Sequence, residues 1–392
     1  MRSGSEGLAE NRSYLSLSEA VRSAMKSLRI WGTFVCVVGL ALPVAGQSGD
    51  PIVAGNGTIY LGAFPNRIFV IDEATQQVVD EIEVSIGTPR SLMLSEDRSR
   101  FYMLDATFEK FEIIDVARRE TIDTFTLSEG NKRARIRSYR VHPDGSYVIL
   151  VVDRAVKLVD RFEIEPLQLL QYDLRTHEVI REIPWPGGEA RTRAAMLFSL
   201  DGRWLYYFDS DVRILETETF TEVDRWALSK PIEDGLGRVN FTFARDLINE
   251  DPGFFTGNFS IHDEVQDRDL MGIARIDLLN RKMDFYTLGP AVGTLHSFAL
   301  SPGRQKAYGL SSEIGHYEFW TFDLENRRLA ARQPFLGRPR MALKVSSNGK
   351  ILYIYQAGRT IDFYDAESYA HLQTLTLDGD MTTGLFVLPS DD

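Results

Sequence analysis

The amino-acid sequence predicts an all-β fold: a seven-bladed β-propeller in which a C-terminal strand joins the N-terminal blade and closes the ring. Three observations predict it. A marker made of an apolar residue, an acidic residue and a short polar turn recurs seven times. A second marker, a Ser/His-Pro-Asp-Gly-like turn between two apolar strands, lies upstream of most copies. The first copy lacks an inner strand, and the C-terminus has one to spare. Such self-similarity is the signature of stacked short sheets, each burying its faces against its neighbours.

The first marker runs in order through Ile71-Asp72-Glu73, Ile114-Asp115-Val116, Tyr172-Asp173-Leu174, Leu215-Glu216-Thr217, Ile276-Asp277-Leu278, Phe322-Asp323-Leu324 and Tyr364-Asp365-Ala366. The copies lie about 42–61 residues apart, the period of a propeller blade or slightly more. An acidic residue followed by small polar ones suits the tight hairpin between the third and fourth strands of a blade. The second marker reads Leu94-Ser95-Glu96-Asp97, Val141-His142-Pro143-Asp144-Gly145, Phe198-Ser199-Leu200-Asp201-Gly202, Leu300-Ser301-Pro302-Gly303 and Val345-Ser346-Ser347-Asn348-Gly349. Proline and glycine set the turn, and β-branched and aromatic residues on either side form strands. No later segment keeps a helical period.

The ends complete the pattern. The first copy starts at Thr58-Ile59-Tyr60-Leu61 with no inner strand before it, and Gly384-Leu385-Phe386-Val387-Leu388 is a strand without a blade of its own. Joining the two closes the ring and removes an exposed sheet edge. Two blades are oversized. The third carries residues 159–168 between its second and third strands, with Phe162 and Glu163; the fifth carries residues 246–269, with Phe254, Phe255 and Phe259. Long loops are often functional, so these residues are candidate partner contacts, with plain decoration as the alternative.

The chain has 392 residues and a formal net charge of −12. That charge argues against nucleic-acid binding, which needs a basic face, and against adhesion to anionic membranes. Residues 1–46 read as an N-terminal extension with a signal peptide. Met25-Lys26-Ser27-Leu28-Arg29 is basic, Ile30 to Val44 is apolar, and Val44-Ala45-Gly46 is small. The start codon is expected at Met25, the propeller at 47–392, and the mature chain in the periplasm or secreted, without a membrane span. An uncleaved membrane anchor is the alternative for the apolar run. The only cysteine is Cys36, inside that run, so the mature chain offers no disulfide, thiolate nucleophile or Cys-x-x-Cys-His haem attachment.

A cationic residue precedes or begins most inner strands: Arg90, Arg135 and Arg137, Arg191 and Arg193, Arg238, His296, and Arg338 and Arg340. In a propeller these positions gather near one mouth of the central channel. Converging arginines repel one another unless an anion or acidic side chains neutralise them. The candidate collar of Arg90, Arg137, Arg193, Arg238, His296 and Arg340 is therefore a site for a carboxylate, a phosphate or an acidic partner loop. The alternative is that each arginine pairs with an acidic residue of a neighbouring blade. The sequence holds no His-Glu-x-x-His, no Gly-x-Ser-x-Gly and no phosphate-cradling glycine loop before a helix.

The stretch from His142-Pro143-Asp144-Gly145 through Arg161-Phe162-Glu163-Ile164-Glu165-Pro166 to Leu170-Gln171-Tyr172-Asp173 resembles the β subunit of quinohaemoprotein amine dehydrogenase. The likeness continues through Ala307-Tyr308-Gly309 and Tyr364-Asp365-Ala366-Glu367 and covers the mature chain. It implies a periplasmic complex that oxidises primary amines. A small γ subunit would carry a tryptophan-derived quinone and an α subunit two c-type haems. The β subunit would hold no cofactor or metal and supply a platform and part of the substrate wall, with no catalytic residue to carry over. Two other functions stay open: a stand-alone exported propeller that binds a small molecule or protein, and a hydrolase or lyase acting over the channel.

Overall fold

The computed structural model describes residues 54–231, 233–242, 246–291, 293–313, 315–355 and 358–390. The chain divides after Asp50, and the described strands all belong to the unit Pro51–Asp392. The basic stretch, the apolar run with Cys36, the expected start at Met25, Asp391 and Asp392 lie outside the described residues. Among the described residues no helix is long and apolar enough to cross a membrane.

Seven antiparallel sheets form seven blades in a ring. Blade 1 places Met381–Leu388 innermost, followed by Thr58–Ala63, Arg67–Asp72 and Gln77–Glu83. Blade 2 runs outward from Pro89–Leu94 to Glu120–Thr126, blade 3 from Lys132–Val141 to Val179–Ile183, and blade 4 from Ala195–Phe198 to Glu222–Trp226. Blades 5, 6 and 7 have inner strands Leu236–Thr242, Leu295–Leu300 and Ala342–Val345. Because strands alternate in direction, the outer-to-inner connections and the second-to-third turns share one face of the ring. The first-to-second and third-to-fourth turns share the other.

The turn markers have a physical basis. The aspartate of the first marker accepts hydrogen bonds from backbone N–H groups two or three residues on: Thr75 to Asp72 at 2.6 Å, Arg118 to Asp115 at 2.8 Å, Thr176 to Asp173 at 2.7 Å and Ser368 to Asp365 at 2.6 Å. This is the Asx geometry that makes aspartate a turn residue. The fourth residue after each acidic position lies in the left-handed region, from Gln76 at φ 59° through Arg119, His177, Phe220, Arg281 and Arg327 to Tyr369 at φ 58°. In the second marker, Ser95, Ser199 and Ser346 accept from the N–H five residues on, at 2.9–3.0 Å, and Gly145, Gly202, Gly303 and Gly349 supply φ of 72–75°.

Apolar alternation packs each sheet against both neighbours, and seven core clusters result, one at each blade interface. Blades 7 and 1 meet through Ile59, Leu61, Phe69, Tyr353, Phe363 and Leu385, all buried. Burying one such side chain contributes about 1.5–3 kcal/mol. The closure expected from the sequence is present: Thr58 pairs with Leu388, Tyr60 with Phe386 and Ala63 with Met381. Glu73, fully buried, clamps this seam. Its carboxylate accepts from Gly57 N and Ser347 N at 2.9 Å and from the Tyr353 hydroxyl at 2.8 Å.

Candidate functional site

The cationic residues that begin the inner strands share the face of the outer-to-inner connections, as the sequence requires. Their partners differ from the expected interblade pairs. Arg137 binds Asp153 of its own blade, with Nε 2.6 Å from Oδ2. Arg338 binds Asp362 of its own blade at 2.7 Å and the Thr360 carbonyl at 2.9 Å. Arg90 lies 6.0 Å from the Phe108 ring centroid. Arg193, Arg238, His296 and Arg340 are exposed and have no ion pair or hydrogen bond among the described residues. The collar is thus a mixture: some members are anchored within blades and others face solvent uncompensated.

The structure brings Arg193 and Arg238 together, with Arg191, at a cavity of about 450 Å³ between blades 4 and 5. The outer-to-inner connection of blade 4 supplies Arg191 and Arg193, and the inner strand of blade 5 supplies Arg238. Phe208 and Phe241 form a T-shaped pair in its wall, with centroids 6.5 Å apart at 81°. Asp209 and Asp211 also line it. Asp209 is committed to Arg213 Nε at 2.7 Å and to Asp211 N at 2.7 Å. Burial pushes the Asp211 carboxyl up, but hydrogen bonds from Ser229 and the charges of Arg213 and Arg225 outweigh it and hold it below the ordinary aspartate value. Glu222 pairs with Arg213 and Arg225, and Glu189 with Arg191 at 3.6 Å. Arg193 and Arg238 share the cavity lining with Asp211 and have no ion pair of their own among the described residues. The collar was readable from the sequence; Phe208, Asp209, Asp211 and Phe241 were not, because their meeting depends on how two blades abut.

The insertion in blade 3 rises from this same face. The second strand, Tyr147–Lys157, extends beyond the sheet, and Phe162–Ile164 folds back onto its end with Phe162 opposite Lys157. Phe162 is 64% and Ile164 72% exposed, and Glu163 is exposed beside Arg161 at 2.9 Å. Phe64, Val265 and Leu336, in turns and connections of blades 1, 5 and 7 on the same face, also point outward.

The blade 5 reading needs correction. Phe254 begins a ten-residue strand, Phe254–Asp263, rather than lying in a loop. Phe255 and Phe259 are core residues, 0% and 2% exposed, packed towards blade 4. Phe254 lies under Arg275, 4.2 Å from the guanidinium. Phe255 and Phe259 are therefore core residues and not surface contacts for a partner, while Phe254 is half-buried. The real feature of this region is the connection from Asp246 to Gly253 on the opposite face. Leu247 and Ile248 pack against the cluster of blades 1 and 2, and the Ile248 carbonyl accepts from Arg98 at 3.0 Å. Asp246 accepts from Leu300 N at 3.0 Å, and Asn249 donates to the Leu300 carbonyl at 3.0 Å. The segment therefore ties blade 6 to blades 1 and 2 across the channel axis.

No family model matches the chain, and no curated protein matches it. Solved structures match through the fold. A protein of unknown function from Desulfotomaculum acetoxidans superposes with a TM-score of 0.53 at 14% identity, covering 86% of this chain and 100% of that one. Dihydro-heme d1 dehydrogenase NirN gives 0.50 at 14% identity, over 88% of this chain and 78% of that one. Hydrazine synthase of Kuenenia stuttgartiensis gives 0.45 at 13% identity, over 80% and 90%. At such identities the likeness concerns the β-propeller fold alone.

Proposed function

We propose that this chain is a non-catalytic propeller subunit of a periplasmic amine-oxidising complex of the quinohaemoprotein amine dehydrogenase kind, acting as the platform on which its partners sit. One observation carries this reading. A single face of the ring gathers uncompensated arginines and outward-pointing apolar side chains on a projecting arm, which is the composition of a docking surface. The arm is also the segment in which the sequence resembles that family's β subunit. In this reading the tryptophan-derived quinone belongs to a small partner subunit, c-type haem belongs to a dihaem partner, and the chain itself binds neither.

The test is a pull-down from the periplasmic fraction of the native host with the tagged chain, followed by haem staining and mass spectrometry. A dihaem protein and a small quinone-bearing protein are expected, and both are lost when Phe162→Glu and Ile164→Glu are combined. Recovery of the chain alone, with no haem-staining band, defeats the proposal. The cavity between blades 4 and 5 favours a second reading, a stand-alone exported propeller that binds a small molecule and catalyses nothing. That reading expects a monomer in the same fraction.

A further inference from the structure

We propose that the cavity between blades 4 and 5 binds a small aromatic monocarboxylate, held by the guanidinium groups of Arg193 and Arg238 with its ring against Phe208 and Phe241. Among the groups at this cavity, Asp209 is satisfied by Arg213, Glu222 by Arg213 and Arg225, and Glu189 by Arg191. Asp211 accepts from Ser229 N at 2.9 Å. Two guanidinium groups against one remaining carboxylate leave a surplus of one positive charge, which a monoanion neutralises. A dianionic phosphate ester would leave negative charge in excess beside Asp211. Guanidinium meets carboxylate in a planar two-point contact, and two of them can share one carboxylate.

The walls decide the rest of the ligand. Ala195, Val212, Leu228 and Val239 line the cavity together with the two phenylalanines. Burying apolar surface against them is favourable, and a flat ring meets the T-shaped Phe208–Phe241 pair in edge and face contacts. The volume of about 450 Å³ is that of a small-molecule site, which typically spans roughly 300–1,000 Å³. A bare inorganic anion would leave these walls wet. The inference concerns the isolated chain, so a failed partner pull-down leaves it standing, and its own failure leaves the platform reading standing.

The test is isothermal titration calorimetry of the purified chain with phenylacetate and 3-phenylpropionate, with acetate, phenethylamine and inorganic phosphate as comparators. One saturable site is expected for the arylcarboxylates. Acetate, which lacks the ring, binds at least about tenfold more weakly, and combined Arg193→Gln and Arg238→Gln weakens phenylacetate by about tenfold or more. Both arginines are exposed and touch no described acidic group, so the variant keeps the thermal midpoint of the parent chain. Three results overturn the proposal: no saturable heat with any arylcarboxylate, equal affinity in the double variant, or tighter binding of phenethylamine or phosphate than of phenylacetate.

Discussion

Glu73 holds the seam between blades 7 and 1. In the linear chain it is the residue after Asp72 in a polar turn, and turn carboxylates are usually solvated. In the ring it lies fully buried and receives donors from Gly57, Ser347 and Tyr353. Replacing it by alanine orphans those donors in the seam between blades 7 and 1, and a loss of about 3 kcal/mol is expected, read by denaturant unfolding. A variant within about 0.5 kcal/mol of the parent would show that the seam does not depend on this carboxylate. Gln76 offers the opposite case. It sits at φ 59°, a conformation that costs an L-residue about 1–2 kcal/mol. Gln76→Gly is expected to stabilise by about 0.5–1 kcal/mol, since part of the relief is offset by the entropy of glycine in the unfolded chain.

At the level of strands and hairpins, the recurring aspartates predict the response to acid. Hydrogen bonds from Thr75, Thr176 and Asn326 hold the carboxyls of Asp72, Asp173 and Asp323 below the ordinary aspartate value. The folded state thus favours their ionised form. Their stabilising contribution is complete above the unfolded aspartate pKa, about 3.9, and is lost as pH falls through the lower folded values. Thermal midpoints measured between about pH 2 and 6 are expected to fall on the acid side, and Asp323→Asn to show a shallower decline than the parent. These hairpins were legible because the signal is local: the turn needs that side chain whatever surrounds it. Blade 5 was misread for the reverse reason. Phe255 and Phe259 sit among Gly257, Asn258 and Ser260, which blur the alternation in sequence. In space Gly272 is what admits the Phe259 ring, because a Cβ there would lie 2.2 Å from Phe259 Cζ. That demand comes from the adjoining strand. The crossing segment was equally hidden, since the long-range partner of Asp246 is Leu300, in the inner strand of the next blade. Asp246→Ala removes the buried anchor from three N–H groups, Leu300, Ile248 and Asn249. A loss of about 2 kcal/mol is expected, with faster proteolysis within residues 246–253 as the separate readout.

For the molecule as a whole, seven interblade cores leave no sheet without two neighbours, so the ring is expected to unfold in one transition rather than blade by blade. Deleting residues 381–390 removes the inner strand of blade 1, which lies against the inner strands of blades 2 and 7. Loss of the single sharp transition in calorimetry is the expected result; retention of it at the parent temperature would mean that the ends are not clasped. The number of blades and their closure could be read from the chain because a repeat states its own architecture. The cavity could not, because the spacing of Arg193, Phe208 and Arg238 in sequence says nothing about which blades touch.

The clasp also governs how the protein reaches this state. Leu388 must find Thr58 across nearly the whole length of the propeller, and contacts so distant in sequence are slow to form. Until then Thr58–Ala63 is an unpaired edge open to any extended segment, including one from another molecule. Refolding yield is therefore expected to fall as concentration rises, and a synthetic peptide of residues 381–388 is expected to compete for the vacant edge and slow the last kinetic phase. A yield and rate indifferent to both would place ring closure early on the pathway instead.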